Sequence, residues 1–228
     1  MSLPTRSEGL AIAIDDDLRG VFALGLLEAL QVRHAPLGAD FAAERDRVIG
    51  RIVGAHSGRA AADIAGVAEV RALFHALDID PTKTRPSSEA LLRRTLQGKG
   101  LPTVSPVVDV CNLCSLEHQM PLGLYDRELV GGTVRVRVGL DGEGYDGIRK
   151  AHVNLAGRLL LADDSGPFGA PTSDSLRTSV TERTLAVLVV VFCPRERAEA
   201  ELMGMLESLS DRLARFCGGD VAAVRVIR

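Results

Sequence analysis

Hydrophobic positions along the chain follow two spacings, one typical of strands and one typical of helices. Valine alternates with polar residues over 133–138, which predicts a half-buried strand. Residues 184–193 form an almost unbroken apolar and β-branched run, which predicts a central strand covered on both faces. Residues 195–217 repeat apolar side chains at helical spacing and stop at Gly218, which predicts a long C-terminal helix.

The remaining segments place helices first and a strand-rich stretch after them. Strands are predicted over 10–14, 107–110, 158–162 and 220–227, and helices over 41–53, 59–77, 87–97 and 111–119. Residues 18–32 fit either a strand or a helix. We interpret 121–126 and 166–175 as irregular loops because Pro and Gly interrupt them. The pattern predicts a single α+β domain over 1–228, with a mixed β-sheet core and flanking helices.

Composition is that of an ordinary globular protein. Hydrophobic residues make up 46% of the chain and charged residues 25%, which excludes a largely disordered protein. The formal net charge is −3, so the basic surplus that sequence-independent nucleic-acid binding usually needs is absent. Nucleic-acid binding would therefore require a local basic patch.

Apolar runs and cysteines indicate the cellular location. The longest apolar run, Leu185 to Cys193, is far shorter than the roughly 20 residues that a membrane-spanning helix needs. The first residues contain no apolar core of a signal peptide. All four cysteines have apolar neighbours. We therefore expect a cytoplasmic protein with reduced thiols and without a membrane partner.

Cys111, Cys114 and His118 resemble half of a zinc site. A closed site needs a fourth ligand, and the sequence contains neither a second C-x-x-C nor an H-x-x-x-H pair. A nucleophilic pair of Cys114 and His118 has no evident third group to orient it. We interpret the cysteines as small buried hydrophobes and expect no metal and no cofactor.

Polar residues near predicted strand ends and loops define a candidate pocket that lacks a strong nucleophile. The residues in question are Asn112, Ser115, Asp126, Asp163, Asp174 and Arg177. Loops on a rigid scaffold often carry binding sites. Such a pocket suits a small amphiphilic ligand, or a water positioned to hydrolyse an activated ester. For each residue alone, a turn or capping role is the alternative.

The most basic stretch surrounds the helix that begins near Ser87, which we interpret as its N-cap. Its cations are Lys83, Arg85, Arg93, Arg94 and Lys99. These side chains form either a solvated helix face or a patch that contacts nucleic-acid phosphates.

An ordered set of segments resembles the B3/B4 domain of the beta subunit of bacterial phenylalanyl-tRNA synthetase. The segments are SSEALLRRTLQGKGLP, VDVCNLCSLEHQMPLGLYD, GE at 142–143, LLLADDSG at 159–166 and TERTLAVLVVVF at 181–192. The chain is most similar to free-standing bacterial B3/B4-domain proteins, over roughly residues 65–195. In the synthetase, this domain hydrolyses tyrosine that is wrongly attached to the tRNA. The resemblance therefore implies the B3/B4 fold and an editing function.

The resemblance also implies where an aminoacyl group would bind. The synthetase motif consists of Thr-Asn, then a Pro and a His. The matching positions here are Cys111, Asn112, Pro121 and Gly123. Gly123 thus stands where the family has His, and the smaller residue implies a larger pocket. The acidic residue that reads the tyrosine hydroxyl falls near 173–177, where Asp174 or Arg177 is its replacement.

Two hypotheses of function follow. In the first, the protein binds tRNA and hydrolyses mischarged aminoacyl-tRNA in trans, as a deacylase that uses water. The basic stretch, with Arg135 and Arg137, would contact the tRNA. In the second, the protein is a non-catalytic binder of RNA, a free amino acid or a related small metabolite. No side chain is assigned as catalytic. The synthetase's aminoacylation modules have no counterpart in the sequence, so we do not expect the chain to aminoacylate tRNA.

Overall fold

The computed structural model describes residues 9–148 and 151–228, which fold into helices and strands, with more residues in helices than in strands. The α-helices are α1 Ala39–His56, α2 Ala65–Ala76, α3 Ser87–Leu96, α4 Pro106–His118 and α5 Glu199–Cys217. The strands are β1 Ile12–Ile14, β2 Phe22–Leu30, β3 Leu122–Asp126, β4 Val134–Val138, β5 Gly144–Asp146, β6 His152–Asn154, β7 Leu159–Asp163, β8 Gly166–Ala170, β9 Ser173–Asp174, β10 Ala186–Pro194 and β11 Asp220–Ile227. The predicted α+β class is confirmed.

The strands form two main sheets. A four-stranded antiparallel sheet has the order β11-β2-β10-β3. A five-stranded sheet has the order β1-β4-β7-β8-β9, in which β1 runs parallel to β4 and the other pairs are antiparallel. A small hairpin of β5 and β6 lies beside them. The predicted mixed sheet is therefore present.

The alternation of side chains along β10 shows how the layers stack. Val187, Val189 and Val191 belong to a core that also contains residues of α1, α4 and α5. Leu188 and Val190 belong to a second core, shared with the strands of the five-stranded sheet and with α2. Because successive residues of a strand point to opposite faces, β10 is covered on both sides, as predicted. The four-stranded sheet is the middle layer.

Residues 107–110 are helical, and the strand predicted there is wrong. They belong to α4, whose first residue is Pro106, a position that proline favours because its missing N–H would be unpaired anyway. Almost the whole helix is buried, so its sequence lacks the polar stripe that marks an amphipathic helix. A short apolar run without a polar stripe fits a buried strand and a buried helix equally well.

The two loops predicted at 121–126 and 166–175 are also wrong. Residues 122–126 form β3, which pairs with β10 along its length. Residues 166–170 and 173–174 form β8 and β9 at the edge of the five-stranded sheet. Gly and Pro lower strand propensity. In β3, pairing with the long central strand β10 outweighs that effect, and β8 and β9 lie near a sheet edge, where both residues are tolerated.

Smaller differences concern helix ends. Ser87 is the first residue of α3 and follows Pro86 at the cap, so the predicted N-cap is one residue off and makes no capping hydrogen bond. The helix predicted over 59–77 begins with a separate 3₁₀ turn at Ala61–Asp63. Residues 22–30, left open between strand and helix, are strand β2.

Among the described residues, no helix combines the length and apolarity needed to cross a bilayer.

Candidate functional site

A cavity of about 480 Å³ opens between α3 and α4 on one side and β3 and β9 on the other. Its walls are formed by Ser87, Leu91, Val104, Val108, Cys111, Asn112, Ser115, Leu122, Leu124, Ile148, Asp174, Ser179 and Val180. Cavities of this size commonly hold small ligands. Most of the wall is aliphatic, with a few polar groups set into it.

Helix α4 contributes one face to the cavity. Val108, Asn112 and Ser115 are spaced four and three residues apart, so they lie on the same side of the helix. The Ser115 hydroxyl donates to the backbone oxygen of Met120 at 2.8 Å and is thus engaged in the fold. The Asn112 side chain makes no hydrogen bond to any other described residue, which leaves its amide available to a ligand.

Asp174 is the only charged side chain on the cavity wall among the described residues. Its Oδ1 accepts a hydrogen bond from the Tyr125 hydroxyl at 2.7 Å, and its Oδ2 lies 3.5 Å from the backbone nitrogen of Leu124. Burial raises the pKa of Asp174 from its ordinary value of 3.8 to about 7, although the Tyr125 hydrogen bond opposes that change. This carboxyl group therefore changes charge near neutral pH.

Gly123 does not enlarge the cavity, contrary to the sequence-based expectation. A Cβ atom on Gly123 would lie 2.0 Å from the Tyr125 hydroxyl oxygen, far inside the contact distance. The fully buried side chain of Tyr125 thus occupies the space beside the glycine. On the other side, a Cβ on Gly169 would lie 2.1 Å from the same oxygen. The space beside Gly123, where the sequence resemblance predicts a histidine in the family, is filled here by a neighbouring phenol.

Three of the predicted pocket residues are engaged away from the cavity wall. Asp126 is buried and accepts hydrogen bonds from the Thr184 hydroxyl at 2.5 Å and the Glu128 backbone at 3.0 Å. Asp163 and Arg177 form an ion pair at 2.8 Å. The structure therefore brings together Asn112, Ser115 and Asp174 on the cavity wall. The other four predicted pocket residues, Gly123, Asp126, Asp163 and Arg177, lie outside the lining.

The cysteine and histidine residues of α4 lie in surroundings that suppress their reactivity. Burial raises the pKa of Cys111 well above its ordinary value and raises that of Cys114 to about 11. Burial also lowers the pKa of His118. Within 9–148 and 151–228, no three His, Cys, Asp or Glu side chains are grouped so that they could hold a metal ion.

The basic stretch is organised around one buried carboxylate. Glu89, which is 1% exposed, accepts two hydrogen bonds from Arg71, at 2.7 and 2.8 Å. Arg85 and Arg93 lie 3.6 and 3.7 Å from the same carboxylate. Three guanidinium groups share one negative charge, so this surface keeps a positive surplus.

The other cations of that stretch have weaker partners or none. Lys83 lies 3.9 Å from Asp80. Arg94 and Lys99 are exposed and form no ion pair with any described residue. Of the two strand arginines, Arg137 binds Glu143 through two hydrogen bonds of 2.6 and 2.7 Å, whereas Arg135 is exposed.

Sequence reasoning missed Tyr125 and most of the aliphatic wall. Gly123 precedes Tyr125 by two residues, and in a strand this spacing places both on the same face. That spacing was the signal for Tyr125, but it applies only once the segment is known to be a strand. The aliphatic wall gave no such signal because it combines residues far apart in the sequence, such as Leu91, Leu124 and Val180.

A protein-family model described as "B3/4 domain" matches residues 69–224. The beta subunit of phenylalanine–tRNA ligase from Paramagnetospirillum magneticum is 26% identical over 156 residues, covering 58% of this chain and 20% of that subunit. The subunit from Nitratidesulfovibrio vulgaris is 30% identical over 151 residues, covering 63% and 18%. The subunit from Streptomyces avermitilis is 37% identical over 79 residues, covering 34% and 10%.

The crystal structure of an N-terminal fragment of the phenylalanyl-tRNA synthetase beta subunit from Pyrococcus horikoshii aligns with 100% of this chain and 57% of that chain. Its sequence identity is 12% and its TM-score 0.47. The three curated subunits are much longer than the matched region, since the alignments span between 10% and 20% of their length.

Proposed function

This chain belongs to the B3/4 domain family, and on that premise we propose that it binds tRNA and hydrolyses a wrongly attached amino acid in trans. The observation that carries the proposal is the largely aliphatic cavity with Asn112 and Asp174 on its wall. All of its lining residues fall inside the region that matches the family model. An aminoacyl group has the same mixture of an apolar side chain and a small polar head.

Water is the nucleophile in this proposal. Its oxygen bonds to the ester carbonyl carbon, the bond from that carbon to the ribose oxygen breaks, and the ribose oxygen takes up a proton. The products are a free amino acid and an intact tRNA. Cys111 is an unsuitable nucleophile because burial raises the pKa of its thiol well above the ordinary value and keeps it protonated.

The role of Asn112 in this reaction is to stabilise developing charge. Its side-chain amide has no partner among the described residues and can donate to the carbonyl oxygen as that oxygen becomes negative. Removal of one such donor typically lowers kcat by roughly 100- to 1,000-fold. Asn112 is therefore proposed as an oxyanion donor.

Helix α3 links the cavity to the basic stretch. Ser87 and Leu91 line the cavity, and Arg94 lies one turn beyond Leu91 on the same helix face. In this proposal, Arg94 and Lys99 contact phosphates near the tRNA terminus while the aminoacyl group enters the cavity. The charge stays local, which agrees with a net charge of −3 for the whole chain.

The test is a deacylation assay with purified protein and a panel of misacylated tRNAs. We expect at least one pairing to be hydrolysed faster than in buffer alone, and Asn112→Ala to lower that rate roughly 100-fold or more. Asn154→Ala, at the chain's other asparagine, is the matched control and should leave the rate unchanged. Hydrolysis at the background rate for every pairing would contradict the proposal.

A second candidate function is non-catalytic binding of a free amino acid. It is favoured by Gly123, which stands where the family motif has His, since Tyr125 fills that space with a group that carries no imidazole. In that case calorimetry would detect free amino acids in the cavity while aminoacyl esters stay intact. Asn112→Ala would abolish the binding.

A further inference from the structure

The cavity wall is mostly aliphatic and carries a negative group without a positive one. Aliphatic side chains such as Leu91, Val108 and Leu124 form most of it. Among the described lining residues there is no aromatic ring and no Lys, Arg or His. Asp174 therefore lacks an opposing cation on the wall. A ligand that brings an ammonium group would supply one.

Few polar groups on the wall have hydrogen-bonding capacity left. Ser115 is engaged with Met120, and the Ser179 hydroxyl donates to the Leu176 backbone oxygen at 2.9 Å. The side chains of Ser87 and Asn112 have no hydrogen-bond partner among the described residues. The carboxylate oxygen that remains available on the wall is Oδ2 of Asp174, whose 3.5 Å contact with the Leu124 backbone is at the limit of a hydrogen bond.

A phenol is already present beside Asp174. The Tyr125 hydroxyl donates to Oδ1, and its side chain fills the space next to Gly123 and Gly169. With Oδ1 taken by Tyr125, a phenol on the ligand would have to compete with the ligand's own ammonium group for Oδ2. A hydroxyl that finds no partner in an apolar wall loses its hydrogen bonds to water without compensation.

We infer that the cavity accepts an amino acid with an apolar side chain and a free α-ammonium group, held by Oδ2 of Asp174. The aliphatic wall surrounds the side chain, and the amide of Asn112 faces the carbonyl group of the ligand. This inference rests on the proposed function, because it names the aminoacyl group that the same cavity would hydrolyse. Burial raises the pKa of Asp174 to about 7, so binding of the ammonium group is coupled to loss of the carboxyl proton and should strengthen as the pH rises.

The experiment measures binding of amino acid amides, which resemble the aminoacyl ester but need no tRNA. Calorimetry on the purified chain compares L-leucinamide, N-acetyl-L-leucinamide and L-tyrosinamide. We expect L-leucinamide to bind, and the acetylated probe, which lacks the ammonium group, to bind at least about tenfold more weakly. L-Tyrosinamide should also bind more weakly than L-leucinamide.

Asp174→Asn tests the residue assignment and keeps an acceptor for Tyr125. We expect it to weaken L-leucinamide binding about tenfold or more and to remove the difference between the free and acetylated probes. Tyr125→Phe, which deletes only the hydroxyl, keeps the ammonium partner and should preserve that difference. If Tyr125→Phe retains the difference, loss of the Tyr125–Asp174 hydrogen bond alone cannot explain the effect of Asp174→Asn.

Three results would overturn the inference: equal affinity for the acetylated and free probes, tighter binding of L-tyrosinamide, or no binding of L-leucinamide at millimolar concentration. Its failure can be told apart from that of the proposed function. Hydrolysis of tyrosyl-tRNA esters but not of leucyl-tRNA esters would support the deacylase function and contradict the preference for apolar amino acids. Binding of L-leucinamide without hydrolysis of any ester would support that preference and contradict the deacylase function.

Discussion

Tyr125 donates its hydroxyl hydrogen to Oδ1 of Asp174 over 2.7 Å, and two glycines lie beside that hydroxyl. The Tyr125 ring also packs edge-on against Phe168, with ring centroids 4.9 Å apart. Gly123 and Gly169 leave room for the hydroxyl, since a Cβ on either would lie about 2 Å from its oxygen. The hydrogen bond from Tyr125 to Asp174, the only charged wall residue among those described, therefore depends on the absence of two side chains.

Gly123→Ala should destabilise the protein by about 2–4 kcal/mol, because its Cβ collides with a buried ring that Gly169 prevents from moving. Urea denaturation measures the free energy of unfolding. Tyr125→Ala removes the collision, so the double variant should lose less stability than the sum of the two single variants.

Gly50→Ala is the control for the glycine substitution. Gly50 lies within α1, and a Cβ there meets no atom within 4 Å. We expect this variant to be more stable by about 0.5–1 kcal/mol, because alanine has the higher helix propensity. Additive effects of Gly123→Ala and Tyr125→Ala would contradict the proposed collision.

Asp174→Asn should change how stability depends on pH. The folded-state pKa of about 7 lies above the ordinary value of 3.8, so the folded protein keeps a proton that the unfolded chain releases. The wild type therefore loses stability as the pH rises from about 4 to 7. The asparagine variant cannot ionise and avoids this loss.

The size of the effect follows from about 1.4 kcal/mol per pKa unit, reduced by the partial access of solvent to the cavity. At pH 8.5 the variant should be more stable than the wild type by on the order of 2 kcal/mol. At about pH 3.5, below both pKa values, the two proteins should differ little. Urea denaturation at both pH values provides the comparison, and a constant difference between them would show that Asp174 does not titrate near neutral pH.

The sequence carried enough information to predict strongly periodic elements and too little for those buried on all sides. Helix α5 and strand β10 were recognised because one shows a clear stripe and the other a long apolar run. Helix α4 was divided into a strand and a helix because its apolar residues surround the whole helix. Strand β3 was missed because its pairing with β10 is a long-range interaction that local propensity does not contain.

The candidate site was predictable only in part, for a related reason. Asn112 and Asp174 were named as pocket residues, and the structure places both on one cavity wall. Asp163 and Arg177 have the same residue types and loop positions, yet they form an ion pair elsewhere. Residue type and position in the sequence identify candidate site residues. Contacts between distant segments decide which of them line the cavity and which pair with each other.

Reversing the charge of Arg94 and Lys99 should weaken tRNA binding. Both are exposed and form no ion pair with described residues, so a phosphate can be their main partner. Each cation that contacts a phosphate adds about 0.7–0.9 to the slope of log affinity against log salt concentration. Arg94→Glu with Lys99→Glu should therefore lower the affinity and reduce that slope by about 1.5 or more, as measured by fluorescence anisotropy with labelled tRNA.

Arg19→Glu with Arg158→Glu is the matched control, since it reverses the same number of charges beside β1 and β7 of the five-stranded sheet. This variant should retain the salt dependence of the wild type. Equal losses in the two double variants would indicate that only the total charge matters, and would contradict a specific role for Arg94 and Lys99.

Glu89→Ala should destabilise the protein by about 3 kcal/mol, because it leaves the guanidinium groups of Arg71, Arg85 and Arg93 close together without their shared carboxylate. Part of this loss is repulsion between cations, so added salt should restore stability in the variant more than in the wild type. Urea denaturation at low and high salt measures both effects. Glu182→Ala, at an exposed glutamate without an ion pair to any described residue, should change stability by less than about 0.5 kcal/mol. If Glu89→Ala behaves like Glu182→Ala, packing alone keeps the three arginines in place, and the buried carboxylate does not organise the basic surface.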